Sequence, residues 1–303
     1  KLVNLKISSP LKPGALYKIA QIYYIEKDFP SSEKYYKKII NEYPKSHILD
    51  KTFFALGNLY YEKNDFSKAR KSYNYIVKRF SKSSLRFFSW IQVGNCFLNE
   101  KKYKDAFKTY SLIKKSYGDS PFLLFYEGSG SNNLQNYDKV IEIFNNFRQE
   151  FPKHKLLKDI LFYTGWSYFQ IKDYPQSIIT LTEFIARFPN DKLSPQVILL
   201  IGNAYFNNEE YSKAIKNYRN LLSEFPDSSF RNQSYLSLVE SYLALGKIED
   251  ASTVSKEFRG NYPDDVFIAE INYRIGSYFY NDKNYSSAIT IFNNIKEEFP
   301  NSE

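Results

Sequence analysis

Residues 44–81 read PKSHILDKTFFALGNLYYEKNDFSKARKSYNYIVKRFS, and this stretch decides the fold. Pro44 has no amide hydrogen and closes the helix before it. Ser46 is placed to cap the next one, since a hydroxyl can accept an orphan amide of a first turn. From His47 to Glu62 the apolar positions Phe53, Leu56, Leu59 and Tyr60 recur at helical spacing. Lys63-Asn64-Asp65 interrupts the pattern with turn-favouring side chains. A second helix follows from about Phe66 to Phe80, with Ala69, Tyr73, Ile76 and Val77 on its apolar face. Gly57 and Ala69 are both small, as required where two helices cross closely. The unit is an antiparallel helix pair.

The same phrase recurs in both directions. Gly57 has counterparts at Ala20, Gly94, Gly128, Gly165, Gly202, Val239 and Gly276, and every step is 37 residues except the 34 between Gly94 and Gly128. Twelve residues after each anchor stands a small residue: Ser32, Ala69, Ala106, Val140, Ser177, Ala214, Ala251 or Ala288. Three after it stands an aromatic in seven of the eight, Ser131 being the exception. A fixed period of this length marks a stacked-repeat architecture. One helix pair cannot bury its apolar stripe alone, so neighbours must stack. Pro30 and Pro175 are expected in the first turn of second helices, and Pro10 and Pro195 in that of first helices, where a missing amide is harmless. The reading is an all-α, right-handed α-solenoid of about eight repeats, with one continuous solenoid over 1–303. Because the chain opens at Lys1 and stops on a phrase that elsewhere opens a repeat, it reads as an excerpt of a longer one.

Composition narrows the class. A single cysteine, Cys96, excludes an internal disulfide. No apolar run reaches the roughly 18 residues of a membrane span. The net charge of +9 is unevenly placed: residues 1–118 carry 24 Lys+Arg against 9 Asp+Glu, and residues 119–303 carry 18 against 24. Basic repeats over 9–118 are thus followed by an irregular fourth repeat, 119–152, and acidic repeats over 153–303. The fourth repeat has Gly128-Ser129-Gly130-Ser131 where others have an aromatic-rich helix end, and a frayed or kinked helix is expected there.

The spacing of small residue, aromatic and proline resembles the tetratricopeptide repeat, from about Ser9 to the end. The 37-residue period exceeds that family's usual 34, an excess that reads as an extra turn at the start of each first helix. The longer form closes on an aromatic–proline pair, as in Tyr43-Pro44, Phe151-Pro152, Phe188-Pro189, Phe225-Pro226, Tyr262-Pro263 and Phe299-Pro300. Repeats of this form are similar to those of bacterial cell-envelope proteins, notably the outer-membrane assembly lipoprotein and the Tol-Pal system coordinator. The resemblance implies a non-catalytic protein-interaction scaffold in a periplasmic or envelope machine, for instance flagellar-motor or outer-membrane assembly. Two alternatives stand beside it: the partner-recruiting region of a larger enzyme, and a cytoplasmic adaptor using its basic first repeats.

The resemblance also implies that first helices line a concave groove, through residues three before, one after and four after each anchor. The candidate partner-binding residues are therefore Tyr24, Phe54, Asn58, Tyr61, Ile91, Asn95, Phe162, Trp166, Phe169, Asn203 and Phe206. Aromatics supply contact area, and asparagine offers a donor and an acceptor to the main chain of a partner helix or extended segment. Asn58 and Asn95 match the asparagine of the family's clamp for acidic chaperone tails, but Phe54 and Ile91 occupy its lysine position, which argues against that use. No catalytic or metal-binding constellation is legible. His47 and His154 lie in turns far apart in sequence without a ligand partner, Cys96 sits on an apolar face, and Gly128-Ser129-Gly130 lacks the strand and lysine of a phosphate loop. No cofactor is implied. Lysines alternate with aromatics at 34–38 and 101–104, but on opposite helix faces, which argues against nucleic acid. On this reading, replacing Asn58, Asn95 and Asn203 together by alanine weakens partner binding and leaves the melting temperature unchanged; titration of the captured partner and thermal denaturation check both halves.

Overall fold

The structure, a computed structural model, describes residues 11–299. Those residues form sixteen α-helices and no strand: α1 (Lys12–Ile25), α2 (Phe29–Glu42), α3 (Leu49–Glu62), α4 (Phe66–Arg79), α5 (Arg86–Asn99), α6 (Tyr103–Tyr117), α7 (Pro121–Asn133), α8 (Tyr137–Glu150), α9 (Leu157–Gln170), α10 (Tyr174–Arg187), α11 (Ser194–Asn207), α12 (Tyr211–Glu224), α13 (Arg231–Ala244), α14 (Ile248–Asn261), α15 (Ile268–Asn281) and α16 (Tyr285–Glu298). Helix–turn–helix repeats follow one another at the expected register. Pro30, Pro175 and Pro195 lie in first turns of α2, α10 and α11; Pro10 and Pro300 lie outside the described residues. No helix among the described residues is long and apolar enough to cross a membrane.

The chain divides into two compact units, one ending at Leu134 with α1–α7, the other starting at Gln135 with α8–α16. Within each unit, consecutive helices pack on one another around a continuous apolar core. Leu16, Ile39, Leu59, Tyr73 and Cys96 belong to it in the first unit, and Leu221, Leu238, Val254 and Ile271 in the second. The units also differ in charge. The first holds 24 Lys+Arg against 11 Asp+Glu, the second 18 against 22.

Each hairpin turns in one way. The residue seven after the anchor adopts a left-handed backbone at Lys27, Asn64, Lys101, Gln135, Lys172, Glu209 and Lys283, and in the seventh repeat that place is taken by Gly246 (φ 70°). In five of the eight hairpins the next residue caps the second helix. Asp28, Asp65, Asn136, Asp173 and Asn284 each accept from the amide three residues on, at 3.1–3.3 Å. The polar turn Lys63-Asn64-Asp65 is thus a left-handed residue followed by a cap.

Three local expectations are corrected. Ser46 does not cap α3. Its amide donates to the Tyr43 carbonyl (3.0 Å), and its own carbonyl accepts from Leu49 (3.2 Å), so it joins two consecutive tight turns. At the equivalent place Ser83, His154, Asp191, Ser228 and Asp265 use their side chains to accept the amide two residues on. The three residues that lengthen the repeat therefore sit in this six-residue connection and not in an added helical turn: first helices of long repeats keep 14 residues. Where the period shortens, between α6 and α7, Gly118 (φ 74°, ψ −171°), Asp119 and the cap Ser120 make the whole connection. Nor is α7 frayed. It runs through Gly128 and Gly130 to Asn133, with the Ser129 and Ser131 hydroxyls donating to carbonyls four residues earlier and Gly130 lying against Leu98 of α5.

The anchor glycines are small for a specific reason. A methyl group at Gly57, Gly94 or Gly202 would stand 2.4–2.5 Å from a carbon of the ring of Tyr73, Tyr110 or Tyr218, all essentially buried. In the repeats beginning at Ala20 and Gly165, the small residue twelve later adds a bond. The Ser32 and Ser177 hydroxyls donate to the anchor carbonyls at 2.8 Å. Gly94→Ala is therefore expected to destabilise by about 1–3 kcal/mol through overpacking. Gly14→Ala, where a methyl meets nothing within 4 Å, should be neutral or stabilising by up to about 1 kcal/mol from helix propensity. Urea denaturation of the two variants checks the contrast.

Candidate functional site

The expected groove positions converge best at the start of the first unit. Tyr17, Gln21, Tyr24 and Ile25 of α1, Tyr36 of α2, and Phe54, Ala55 and Asn58 of α3 line an open cavity of about 320 Å³. Three candidate residues meet here: Tyr24, Phe54 and Asn58. The walls are aromatic: Tyr17 leans on Tyr36 with ring centroids 5.7 Å apart, and Phe54 meets Tyr73 edge-on at 5.6 Å. The floor is polar, with two carboxamides. The same positions recur in the last repeat, where Tyr273, Ser277, Tyr280 and Phe292 line a second cavity of about 320 Å³.

The amide row has a partner that the groove positions alone did not reveal. The Tyr73 hydroxyl donates to Asn58 Oδ1 at 2.7 Å, Tyr110 to Asn95 at 2.6 Å and Tyr218 to Asn203 at 2.8 Å. Each tyrosine lies sixteen residues after an anchor, and each asparagine one after it. Where the residue after the anchor is Ser129, Trp166, Glu240 or Ser277, position sixteen holds Phe144, Leu181, Ser255 or Phe292. In these three hairpins the buried phenol meets an amide acceptor, as a buried hydroxyl demands. Burial pushes these three phenols well above the ordinary tyrosine range, so they stay protonated donors. In the first repeat burial pushes Tyr36 up to about 12.

The remaining candidates divide by exposure. Ile91 is 1% exposed and Asn95 6%, so neither offers contact area, and the Asn95 nitrogen also donates to Gln92 at 3.3 Å. Tyr24, Tyr61, Phe162, Trp166, Phe169, Asn203 and Phe206 are half-buried. Four of these aromatics are fastened to the hairpin turn: Tyr24 on Phe29, Tyr61 on Phe66, Phe169 on Tyr174 and Phe206 on Tyr211, at 5.2–5.9 Å. The Tyr24 hydroxyl bonds Glu62 of the next repeat, and Tyr61 accepts from Asn99 at 2.7 Å. Trp166 stacks on Phe169, and Phe162 meets Tyr163 edge-on. The cavity includes five residues outside the candidate set: Tyr17 and Gln21, which hold groove positions, and Ile25, Tyr36 and Ala55, which do not. Ala55 carries no signal. Ile25, 77% exposed, could have been found, since five residues after an anchor every other repeat has Glu, Asn, Gln or Ala.

The groups set aside as catalytic candidates have structural places. His154 Nδ1 accepts the Leu156 amide at 3.2 Å and its ring packs on Phe147. Cys96 is fully buried, and burial pushes its thiol up to about 12, which leaves it a small core residue.

The asparagine–tyrosine bonds also correct the expectation that the asparagines can be replaced without loss of stability. Asn95→Ala strands a buried hydroxyl and should cost about 1–3 kcal/mol. Tyr110→Phe beside it removes the need, so a double-mutant cycle on Asn95 and Tyr110 should return a favourable coupling of about 1 kcal/mol. Denaturant titration of the four proteins measures it, and additive effects would mean the bond does not form.

Sequence comparison agrees with the repeat geometry. One tetratricopeptide repeat model matches residues 14–46, 159–191, 196–228 and 271–302, and another matches 54–121, so that together they span well over half of the chain. No curated protein matches the chain in sequence. Among solved structures, the carboxy-terminal part of a repeat-containing protein from Cytophaga hutchinsonii is 17% identical, with a TM-score of 0.58 over 82% of this chain and 96% of that one. A tetratricopeptide repeat protein from Parabacteroides merdae is 14% identical, with a TM-score of 0.54 over 84% and 94%. PilF of Pseudomonas aeruginosa is 15% identical, with a TM-score of 0.53 over 73% and 95%. At these identities the likeness is one of fold. With its anchors, capped turns and matched repeats, the chain belongs to the tetratricopeptide repeat family.

Proposed function

We propose that this chain is a non-catalytic scaffold that holds a protein partner by an extended segment or helix laid across the first helices of its repeats. The observation that carries this is the cavity between α1 and α3. Its volume of about 320 Å³ suits one large apolar side chain of a partner, between Tyr24, Ile25 and Phe54. Asn58 supplies direction. Its oxygen is held by Tyr73, while its nitrogen has no partner among the described residues and is left to donate to a main-chain carbonyl. The second carboxamide, Gln21, stands on the same floor. A surface already ordered by its own packing avoids much of the entropy cost of binding.

The finer reading places this scaffold in a bacterial envelope or periplasmic machine, such as flagellar-motor or outer-membrane assembly. Its support is the aromatic–proline closing phrase, which resembles that of the outer-membrane assembly lipoprotein and the Tol-Pal coordinator.

Ala55→Phe fills the cavity from a wall that makes no hydrogen bond of its own. Partner captured by the native chain should be lost from this variant by about tenfold or more, at an unchanged melting temperature. Retention of the partner at full affinity would sink the cavity reading. A photo-cross-linking residue at position 25 in intact cells should yield adducts with envelope proteins; adducts with cytosolic proteins alone would remove the envelope placement.

A further inference from the structure

A second surface, separate from the cavity, is written in the second helices of the first unit. Fourteen residues after the anchor stands a lysine in each of the three complete repeats there: Lys34 in α2, Lys71 in α4 and Lys108 in α6. All three are exposed. Seven residues further on, two turns along the same helix face, stand Lys78 and Lys115, also exposed. None of these five has a carboxylate within ion-pair distance among the described residues, although other lysines of the unit do, such as Lys37 with Glu33 and Lys68 with Asp65. In the remaining five repeats the first of these positions holds Glu142, Ile179, Lys216, Thr253 or Thr290, and the second holds Gln149, Ala186, Ser223, Gly260 or Glu297. The lysine face is therefore a property of one surface of one unit, beyond the general basic excess.

Between the lysines, on the same face, lie Tyr75 and Leu112, 42% and 46% exposed. Large apolar side chains framed by unpaired lysines are what an interfacial surface requires. The lysine stems lie along apolar material while the ammonium groups reach outward, and the apolar residues enter the headgroup boundary. A nucleic acid strand would call for a basic groove lined with free aromatic faces. Here the lysines occupy the backs of three helices, and the Tyr75 ring is already stacked on Phe53 with centroids 4.0 Å apart.

We propose that the outer face of α2, α4 and α6 docks on an anionic lipid bilayer surface, with Lys34, Lys71 and Lys108 as its principal charges and Tyr75 and Leu112 as its apolar contacts. The attraction is electrostatic at range and falls off with the screening length. None of these residues lines the α1–α3 cavity, so the proposal does not rest on that cavity.

Co-sedimentation of the 1–303 chain with phosphatidylcholine vesicles, with and without phosphatidylglycerol, at low and high salt, tests it. Binding should require phosphatidylglycerol, weaken with salt, and fall by about tenfold or more when Lys34, Lys71 and Lys108 are all changed to Glu. Lys153→Glu, Lys216→Glu and Lys256→Glu together make the same charge change on exposed residues of the second unit and should leave binding nearly intact. Tyr75→Ser with Leu112→Ser should reduce the binding that survives at high salt. Circular dichroism establishes that each variant is folded. Equal sedimentation with phosphatidylcholine alone, or equal loss in both lysine triples, would overturn the proposal. So would a DNA duplex that binds more tightly than the vesicles and is lost in the first triple.

Discussion

A tyrosine ring lying flat against a glycine, its hydroxyl held by the amide next to that glycine, is the contact on which the best-defined hairpins of this protein depend. The glycine lets the second helix approach until the ring touches backbone, and no methyl group could be accommodated at 2.4–2.5 Å from a ring carbon. So close an approach buries the phenol, and a buried phenol needs an acceptor. Asn58, Asn95 and Asn203 provide it. In these three repeats packing distance and hydrogen-bond satisfaction are two sides of a single constraint; at Gly276 and Gly165 the close side chains are Phe292 and Leu181, which need no acceptor.

That constraint shapes the binding surface. An asparagine whose oxygen is committed to the fold can offer only its nitrogen, so Asn58 becomes an oriented donor in place of a freely rotating amide. Where the residue four after the anchor is Tyr24, Tyr61, Phe169 or Phe206, it is likewise half committed, its ring packed on a partner across the hairpin turn and the residue half-buried. Rigid rings and pre-aimed amides suit recognition that avoids ordering its own surface. Where the commitment is complete, as at Ile91 and Asn95, the position is lost to the partner and belongs to the core.

The two units carry the repeat with different chemistry on their outer helices. In the first, lysines recur at one helical position without carboxylate partners among the described residues. In the second, arginines and glutamates pair between repeats, as in Arg148–Glu183, Arg219–Glu257 and Arg259–Glu298. Pairs of this kind contribute little individually, about 0–1 kcal/mol, but they neutralise the surface. An unpaired row does not, and keeps its field for something outside the chain.

The sequence alone determined the period, the helix pair within it, the anchors and the closing aromatic–proline phrase, because all of these follow from local spacing and from the steric limits of glycine and proline. It also placed Tyr24, Phe54 and Asn58 among the groove positions through the resemblance to the family, without singling them out from the other eight candidates. Tertiary structure decided the rest. The three extra residues went into a double turn, since helix length is set by what the neighbouring helix can cover. The glycine-rich α7 stayed helical, with Gly130 packed against Leu98. Whether an asparagine was free or spoken for depended on a hydroxyl fifteen residues away, which only the closed hairpin brings within 3 Å. Periodicity names the residues on a face, but only packing shows which of their atoms have been left without a partner.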